Sequence, residues 1–316
     1  MALIDVTVVE IVQESPTVRS FTLTKTDGSP LGTYRPGAHI DVVGPTSITR
    51  QYSLFSTPDA QDSFAFAVKR EQNSRGGSAA LHELQVGDAL RISPPRNLLS
   101  IATDATHHVL VAAGIGITPM LSMARYMDVH GISFELHYFA RSEAEAAFLP
   151  LLRERCPDRL HAHLGVGRDE QDEILGSIFA GADPGTHVYT CGPDGFMTKV
   201  VALASRHVPA ESIHLENFHA TEQPDASENS PFEVELEGET YRVPADRSIV
   251  EVLQENGCDV DTSCQEGICG TCIMQVVAGT PVHRDNVLTQ AEKESGELMA
   301  VCVSRAAGER LVLDYY

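Results

Sequence analysis

The stretch DTSCQEGICGTC, residues 261–272, places Cys264, Cys269 and Cys272 within nine positions and separates them with glycines. A fourth thiol, Cys302, follows after 29 intervening residues in MAVCVSR. Seven cysteines are an odd number, and four of them share one pattern, which argues against a disulfide framework. Cys-x4-Cys-x2-Cys with one distant cysteine is the spacing of a 2Fe–2S cluster held by four thiolates. Three ligands from one loop must curl around such a cluster. Gly267 and Gly270 permit the tight turns and close backbone approach that this requires, with backbone N–H groups aimed at the sulfurs. The fourth ligand is expected on a strand-like segment. Structural zinc sites use two separated cysteine pairs instead. Cys156, Cys191 and Cys258 fall outside the spacing.

The elements around this loop differ along the chain. Residues 1–103 read as short strands between Gly and Pro turns: Val6–Val12, Arg19–Thr24, Ala38–Val43, Phe64–Lys69 and Ala89–Ile92. That texture predicts an antiparallel barrel or sandwich. From residue 104 to 220 strands and helices alternate: strands at 108–113, 134–140, 160–164 and 187–190, with helices over 118–130 and 143–154. Such alternation predicts an α/β domain with a mostly parallel sheet. Residues 221–231 are polar and read as a linker, and residues 232–316 form a third unit carrying the cysteines. Eight acidic residues and no Lys or Arg lie between Glu216 and Glu239, a stretch read as a hinge on which the third unit swings. The balance of 44 acidic to 23 basic residues, a net charge of −21, argues against nucleic acid or an anionic membrane as partner. It suits a basic protein surface. The apolar N-terminus is interrupted by Asp5 and Glu10 and has no basic leader, and the run 109–124 is too short to span a bilayer, so a cytoplasmic protein is expected.

Further motifs then fall into place. Residues 232–316 resemble a plant-type ferredoxin domain, which implies a β-grasp fold. RQYS at 50–53 is similar to the flavin motif of the ferredoxin–NADP reductase superfamily. There the Arg50 guanidinium suits a phosphate, Tyr52 packs along the flavin and Ser53 hydrogen-bonds near its reactive nitrogen; Gln51 lies between them. A tyrosine in a strand is otherwise ordinary core. The backbone of Ala67, Val68 and Lys69 resembles the superfamily's strand contact to the ring. Gly76 and Gly77 lead into Ser78, read as the N-cap of a helix whose start suits the flavin phosphate. AAGIGITPM, residues 112–120, follows a strand and opens a helix; Gly114, Ile115, Gly116, Thr118 and Pro119 match the superfamily's G-x-G-x-T-P pyrophosphate motif. Cys191, Gly192, Pro193 and Asp194 match its C-G-P motif, which lies over the nicotinamide. Arg141 and Ser142 follow a strand where the adenosine ribose would lie, leaving NADPH open beside the favoured NADH. Phe218 resembles the aromatic that covers the flavin ring.

The order of flavin barrel, nicotinamide domain and C-terminal ferredoxin resembles the phthalate dioxygenase reductase family, which includes vanillate demethylase reductases. The resemblance implies FMN, with FAD as the alternative, together with the 2Fe–2S cluster. It implies a terminal Rieske-type oxygenase of aromatic dioxygenation or O-demethylation as protein partner, and a monomeric reductase. The physical logic is that a hydride brings two electrons, the cluster takes one at a time, and flavin bridges the two. No side chain needs to act as general acid or base, and Cys191 is expected to position rather than attack. The rivals are an FAD reductase serving a haem or di-iron monooxygenase and, last, a non-enzymatic redox sensor, for which the intact phosphate turns have no use.

Overall fold

In the computed structural model, residues 3–71, 76–218, 227 and 229–316 are described. The chain divides into two compact units, Met1–Glu216 and Asn217–Tyr316. Most of the expected linker, 221–231, falls outside the described residues, while the end of the acidic stretch read as a hinge, Phe232–Leu236, is strand.

The first unit opens with an antiparallel sheet of β1 (Ile4–Ser15), β2 (Val18–Lys25), β3 (Ala38–Val43), β4 (Thr49–Ser53) and β5 (Phe64–Lys69), then, after helix α1 (Gly77–His82), β6 (Ala89–Ile92) and β7 (Arg96–Asn97). The order is β4-β3-β6-β1-β2-β5, with β7 on β3. A bridge between Leu54 and Phe66 brings the two ends together, so the sheet curls into a barrel. Period-two alternation fills it: Val8, Phe21, Leu23, Ile40, Phe66 and Ile92 are fully buried. Phe21 and Phe66 stack with ring centroids 5.3 Å apart.

A second sheet follows: β8 (His107–Ala113), α2 (Ile117–Val129), β9 (Phe134–Ala140), α3 (Leu149–Arg155), β10 (Leu160–Leu164), α4 (Arg168–Ala180), β11 (Thr186–Cys191), α5 (Asp194–Ala204) and β12 (Ile213–Glu216). All its pairs are parallel, in the order β10-β9-β8-β11-β12. The chain runs outward from β8 to β10, then crosses back to β11. Parallel sheets bind ligands at such a reversal, beyond the carboxyl ends of the strands. One expected helix, 143–154, is shorter than its composition suggests. Residues 143–148 are turns, and α3 begins only after Phe148, whose φ of 63° breaks a right-handed run. Pro150 explains the delay: it is tolerated in a first helical turn but not in the middle of a helix.

In the second unit β13 (Phe232–Leu236), β14 (Glu239–Val243), α6 (Ile249–Glu255), β15 (Ile273–Ala278), β16 (Pro281–Val282), α7 (Gln290–Ser295), β17 (Leu298–Ala300), β18 (Arg305–Ala306) and β19 (Arg310–Tyr315) form a five-stranded mixed sheet, a separate pair of β16 with β18, and two helices. The main sheet runs β14-β13-β19-β15-β17, with β13 and β19 parallel. This is the β-grasp arrangement. Ser248 and Glu251 cap α6 reciprocally, satisfying two otherwise orphaned N–H groups, and Ile249, Val250 and Leu253 carry its buried face.

Candidate functional site

Cys264, Cys269 and Cys272 sit on the loop between α6 and β15. Cys302 lies in the turn just past β17 rather than on a strand, because Val303 and Ser304 both fold back to the Ala300 carbonyl. None of the four is more than 8% exposed. The loop turns through left-handed backbone at Gln265, Gly267 and Gly270, with φ of 56°, 72° and 74°. At Gly267 a Cβ would stand 2.7 Å from Val303 Cγ2 and 3.1 Å from the Asp285 backbone, so the glycine also meets a need for space. The thiols gather in two hydrogen-bonded pairs, Cys264 with Cys269 and Cys272 with Cys302. Donation from Cys264 pulls Cys269 down to about 5, and donation from Cys302 lowers Cys272, while both donors are pushed up. Backbone N–H groups reach the sulfurs too: Glu266 to Cys264 at 3.3 Å, and Gly267 to Cys302. Four soft donors, buried and converging, with N–H groups directed at them, fit a four-thiolate cluster.

Arg50 and the glycine turn, 26 positions apart, meet in space: a Cβ on Gly77 would lie 3.6 Å from Arg50 Cγ. Gly76, at φ 102°, is the residue that enters α1, so Ser78 is not the cap expected of it. The left-handed Gly76 reverses the chain two residues early, and Ser78 Oγ instead accepts from the Glu71 N–H at 3.2 Å. Beside this turn, Tyr52 packs on Phe66 with centroids 5.2 Å apart, and burial raises its phenol. Gln51 is held by Asp41 at 2.8 Å, and Asp41 also takes both arms of the Arg96 guanidinium. Ala67, Val68 and Lys69 pair with Ser20, Arg19 and Val18, and the Val68 carbonyl is held by His82 Nε2 at 2.9 Å. Room for a side chain at Gly76, a half-buried Arg50 stem and a flanking aromatic suit a flat ring ending in a phosphate.

The two nucleotide motifs interlock. β8 and β11 are neighbours, with Ala112 opposite Cys191. At Gly116 a Cβ would come within 2.2 Å of the Cys191 carbonyl oxygen, and at Gly192 within 2.9 Å of Ala113 Cβ. Both glycines are therefore dictated by contact between the loops. Gly114, at φ 57°, faces open space, Ile115 accepts from Thr118 Oγ1 at 3.0 Å, and Pro119 falls in the first turn of α2. Pro193 precedes α5 and Asp194 stands in its first turn. Arg141 and Ser142 are exposed past the end of β9. Phe218, half-buried, lies beyond β12 at the start of the second unit.

One residue central to this junction escaped sequence reasoning. Glu216, the last residue of β12, is opposite Cys191 and accepts from Ser53 Oγ at 3.1 Å. His39 Nδ1 approaches its other oxygen at 3.8 Å. Burial pushes the Glu216 carboxyl up to about 7, against the Ser53 hydrogen bond, which lowers it. His39, buried beside Arg96, is held down to about 4, so it stays neutral near pH 7 and the contact is no ion pair there. Burial, then the nearby Glu216 charge, drives the Cys191 thiol well up, which fits a neutral positioning group. The available signal was an acid ending an apolar strand in HLENF; Phe218 drew the attention instead. A prediction follows from the sign of the shift. The folded state holds the Glu216 proton that the unfolded chain releases, so this stabilisation is complete below pH 4.5 and is lost as pH rises through about 7. Over that window Glu216 withdraws about 3 kcal/mol. Glu216→Gln should flatten the corresponding fall in the first unit's thermal midpoint; an unchanged slope in the variant would show that Glu216 titrates normally.

Barrel, parallel sheet and four-thiol loop together define a flavin and 2Fe–2S electron-transfer protein. Residues 232–307 match the 2Fe-2S iron-sulfur cluster binding domain family, residues 5–100 the oxidoreductase FAD-binding domain, and residues 89–213 the N-terminal domain of dimethylamine monooxygenase subunit DmmA-like proteins. The chain is 40% identical to vanillate O-demethylase oxidoreductase of Acinetobacter baylyi over 98% of each chain. It is 37% identical to the solved phthalate dioxygenase reductase, covering 99% of this chain and 98% of that one with a TM-score of 0.73. It is also 37% identical to part of a type IV self-sufficient cytochrome P450 monooxygenase, with a TM-score of 0.88, covering 98% of this chain but only 41% of that one. The chain belongs to the phthalate dioxygenase reductase family and is an NAD(P)H-dependent electron-transfer oxidoreductase. Among the described residues no helix is long and apolar enough to cross a membrane.

Proposed function

We propose that this reductase takes electrons from NADH, through FMN and the cluster, to a terminal Rieske-type oxygenase acting on an aromatic compound by dioxygenation or O-demethylation. The observation that carries this reading is the end-to-end likeness to a vanillate O-demethylase oxidoreductase, 40% identical over 98% of each chain. When bound, flavin supplies the conversion of a two-electron donor into single-electron steps. The chain's own part is placement. Gly114–Pro119 would hold the pyrophosphate, and Cys191, Gly192, Pro193 and Asp194 the nicotinamide end. Arg50 with the Gly76–Ser78 turn would take the flavin phosphate, while Tyr52, Ser53 and the Ala67–Lys69 strand border the ring. Phe218 would cover it. Ser53 and Glu216, joined by a 3.1 Å hydrogen bond, would form the polar wall between the two ligands. Cys264, Cys269, Cys272 and Cys302 would hold the cluster. FMN is favoured because the phosphate would end at Arg50 and the Gly76–Ser78 turn. Monomeric, cytoplasmic action and domain limits of 1–103, 104–220 and 232–316 belong to the same reading.

A second reading, delivery to a haem monooxygenase, is supported by the match to the P450 chain. The test is to release the flavin with acid, identify it by mass, and follow anaerobic bleaching by NADH and by NADPH. One FMN per chain and bleaching by NADH is the expected result; FAD, or a preference for NADPH, overturns that part. Turnover with a purified Rieske oxygenase, set beside a P450 haem domain, decides the acceptor.

A further inference from the structure

The parallel sheet gathers a second set of metal-binding side chains, toward the N-terminal ends of β9 and β10 and so away from the nucleotide loops. Glu135 and His137 alternate onto one face of β9, and the register sets His161 of β10 beside His137. The two rings stack with centroids 4.6 Å apart. The Glu135 carboxylate reaches both: Oε1 lies 3.4 Å from His137 Nε2 and Oε2 3.8 Å from His161 Nε2. All three ligand atoms lie within 4.8 Å of one another. His137 is 6% exposed, and its buried Nε2 has no hydrogen-bond partner. Its other nitrogen, Nδ1, is 3.1 Å from His163 Nε2.

The geometry points to a mononuclear site for a divalent transition-metal ion, Zn2+ above all, ligated by His137 Nε2, His161 Nε2 and the Glu135 carboxylate. Two imidazoles, one carboxylate and an open fourth position form a common zinc donor set. Tetrahedral bonds of about 2.1 Å separate ligand atoms by about 3.4 Å, a spacing the His137–Glu135 pair already has. The other two distances shorten by turning Glu135 and His161, whose side chains are 31% and 47% exposed and free to adjust. His163 completes the arrangement. When His137 Nδ1–H donates to His163 Nε2, the tautomer leaves Nε2 unprotonated and aimed at the carboxylate, the outer-shell pattern that fixes ligating histidines. Two lone-pair donors then face each other across 3.4 Å, and a cation between them resolves the repulsion. Because β10 pairs with β9 alone, the ion would tie the edge strand to its neighbour.

The experiment uses holoprotein with flavin and cluster in place, washed with a mild chelator, checked for full iron content, and titrated calorimetrically with Zn2+. One zinc per chain is expected, with affinity at least tenfold weaker in His161→Ala and in Glu135→Gln. His163→Gln should weaken binding less, and zinc should raise the thermal midpoint of the wild type but not of His161→Ala. NADH–ferricyanide activity, which these positions do not touch, reports correct folding. Independently of any variant, anomalous scattering at the zinc edge from soaked crystals should peak between the three side chains. No uptake by the wild type would leave the direct His137–Glu135 contact as the whole account and overturn the site. Uptake undiminished in both variants, or an anomalous peak elsewhere, would overturn it equally.

Discussion

Cys302→Ser is expected to leave NADH-driven reduction of ferricyanide near the wild-type rate while electron delivery to a protein acceptor collapses. Ferricyanide takes electrons directly from flavin, and residue 302 belongs to the other unit. The cluster does depend on it. Cys302 is the ligand that comes from outside the 264–272 loop, and it shares a hydrogen bond with Cys272 and receives the Gly267 N–H. Removing an outer-shell partner of a metal site costs roughly 10–100-fold; losing a ligand should cost at least about 100-fold. The visible absorption of the cluster should disappear in parallel, leaving a yellow flavoprotein. Cys156→Ser provides the contrast: Cys156 is buried in the first unit, bonded to the Leu152 carbonyl, and should leave both assays unchanged. Undiminished delivery in Cys302→Ser would remove the four-thiolate assignment.

Gly116→Ala should be the most damaging single methyl in the nucleotide site. The added carbon would lie 2.2 Å from the Cys191 carbonyl oxygen and 2.7 Å from the Gly192 nitrogen. Both are backbone atoms at the end of a buried strand, with no flexible tip to swing aside. Overpacking of this kind typically costs about 1–3 kcal/mol of stability. The larger effect falls on turnover, since the two loops must part by about an ångström. Misplacement of that size can cost on the order of 100-fold in rate. Stopped-flow reduction by NADH should therefore slow by about two orders of magnitude while the spectrum of the bound flavin stays normal. Gly176→Ala is the control, because that glycine lies in α4 with open space around it. If Gly116→Ala reduces flavin at the normal rate, contact between the loops does not set their function.

Patterns that are local and periodic were legible in the sequence. Phe134–Ala140 and Leu160–Leu164 read directly as strands, because apolar runs bounded by turns leave little choice. The cysteine loop was legible for a different reason: ligand spacing is set by the group held, not by the surrounding fold. Less could be read where long-range contact decides. Ser78 resembles a cap in sequence, yet the left-handed Gly76 takes that place. The helix over 143–154 looked plausible by composition until Phe148 and Pro150 moved its start. Glu216 is the clearest omission. Its significance comes from Ser53, 163 positions away, and from His39 and Cys191, none of which a local pattern connects to it. Likewise, Glu135, His137 and His161 become neighbours only through the parallel register of β9 and β10.

β19 lies between β13 and β15, pairing Glu233 with Arg310 and Met274 with Tyr315. During synthesis this sheet must wait for its middle strand. Before residues 310–315 emerge, β15 and β17 share only three paired positions, too little to persist in water. The loop and Cys302 therefore have no fixed frame until β19 has been made. The first unit has all its strands once Glu216 has been made, so it is free to take up flavin earlier. Two-stage maturation is therefore expected, in which the second stage leaves four free thiols that need a reducing environment and a timely supply of iron and sulfide.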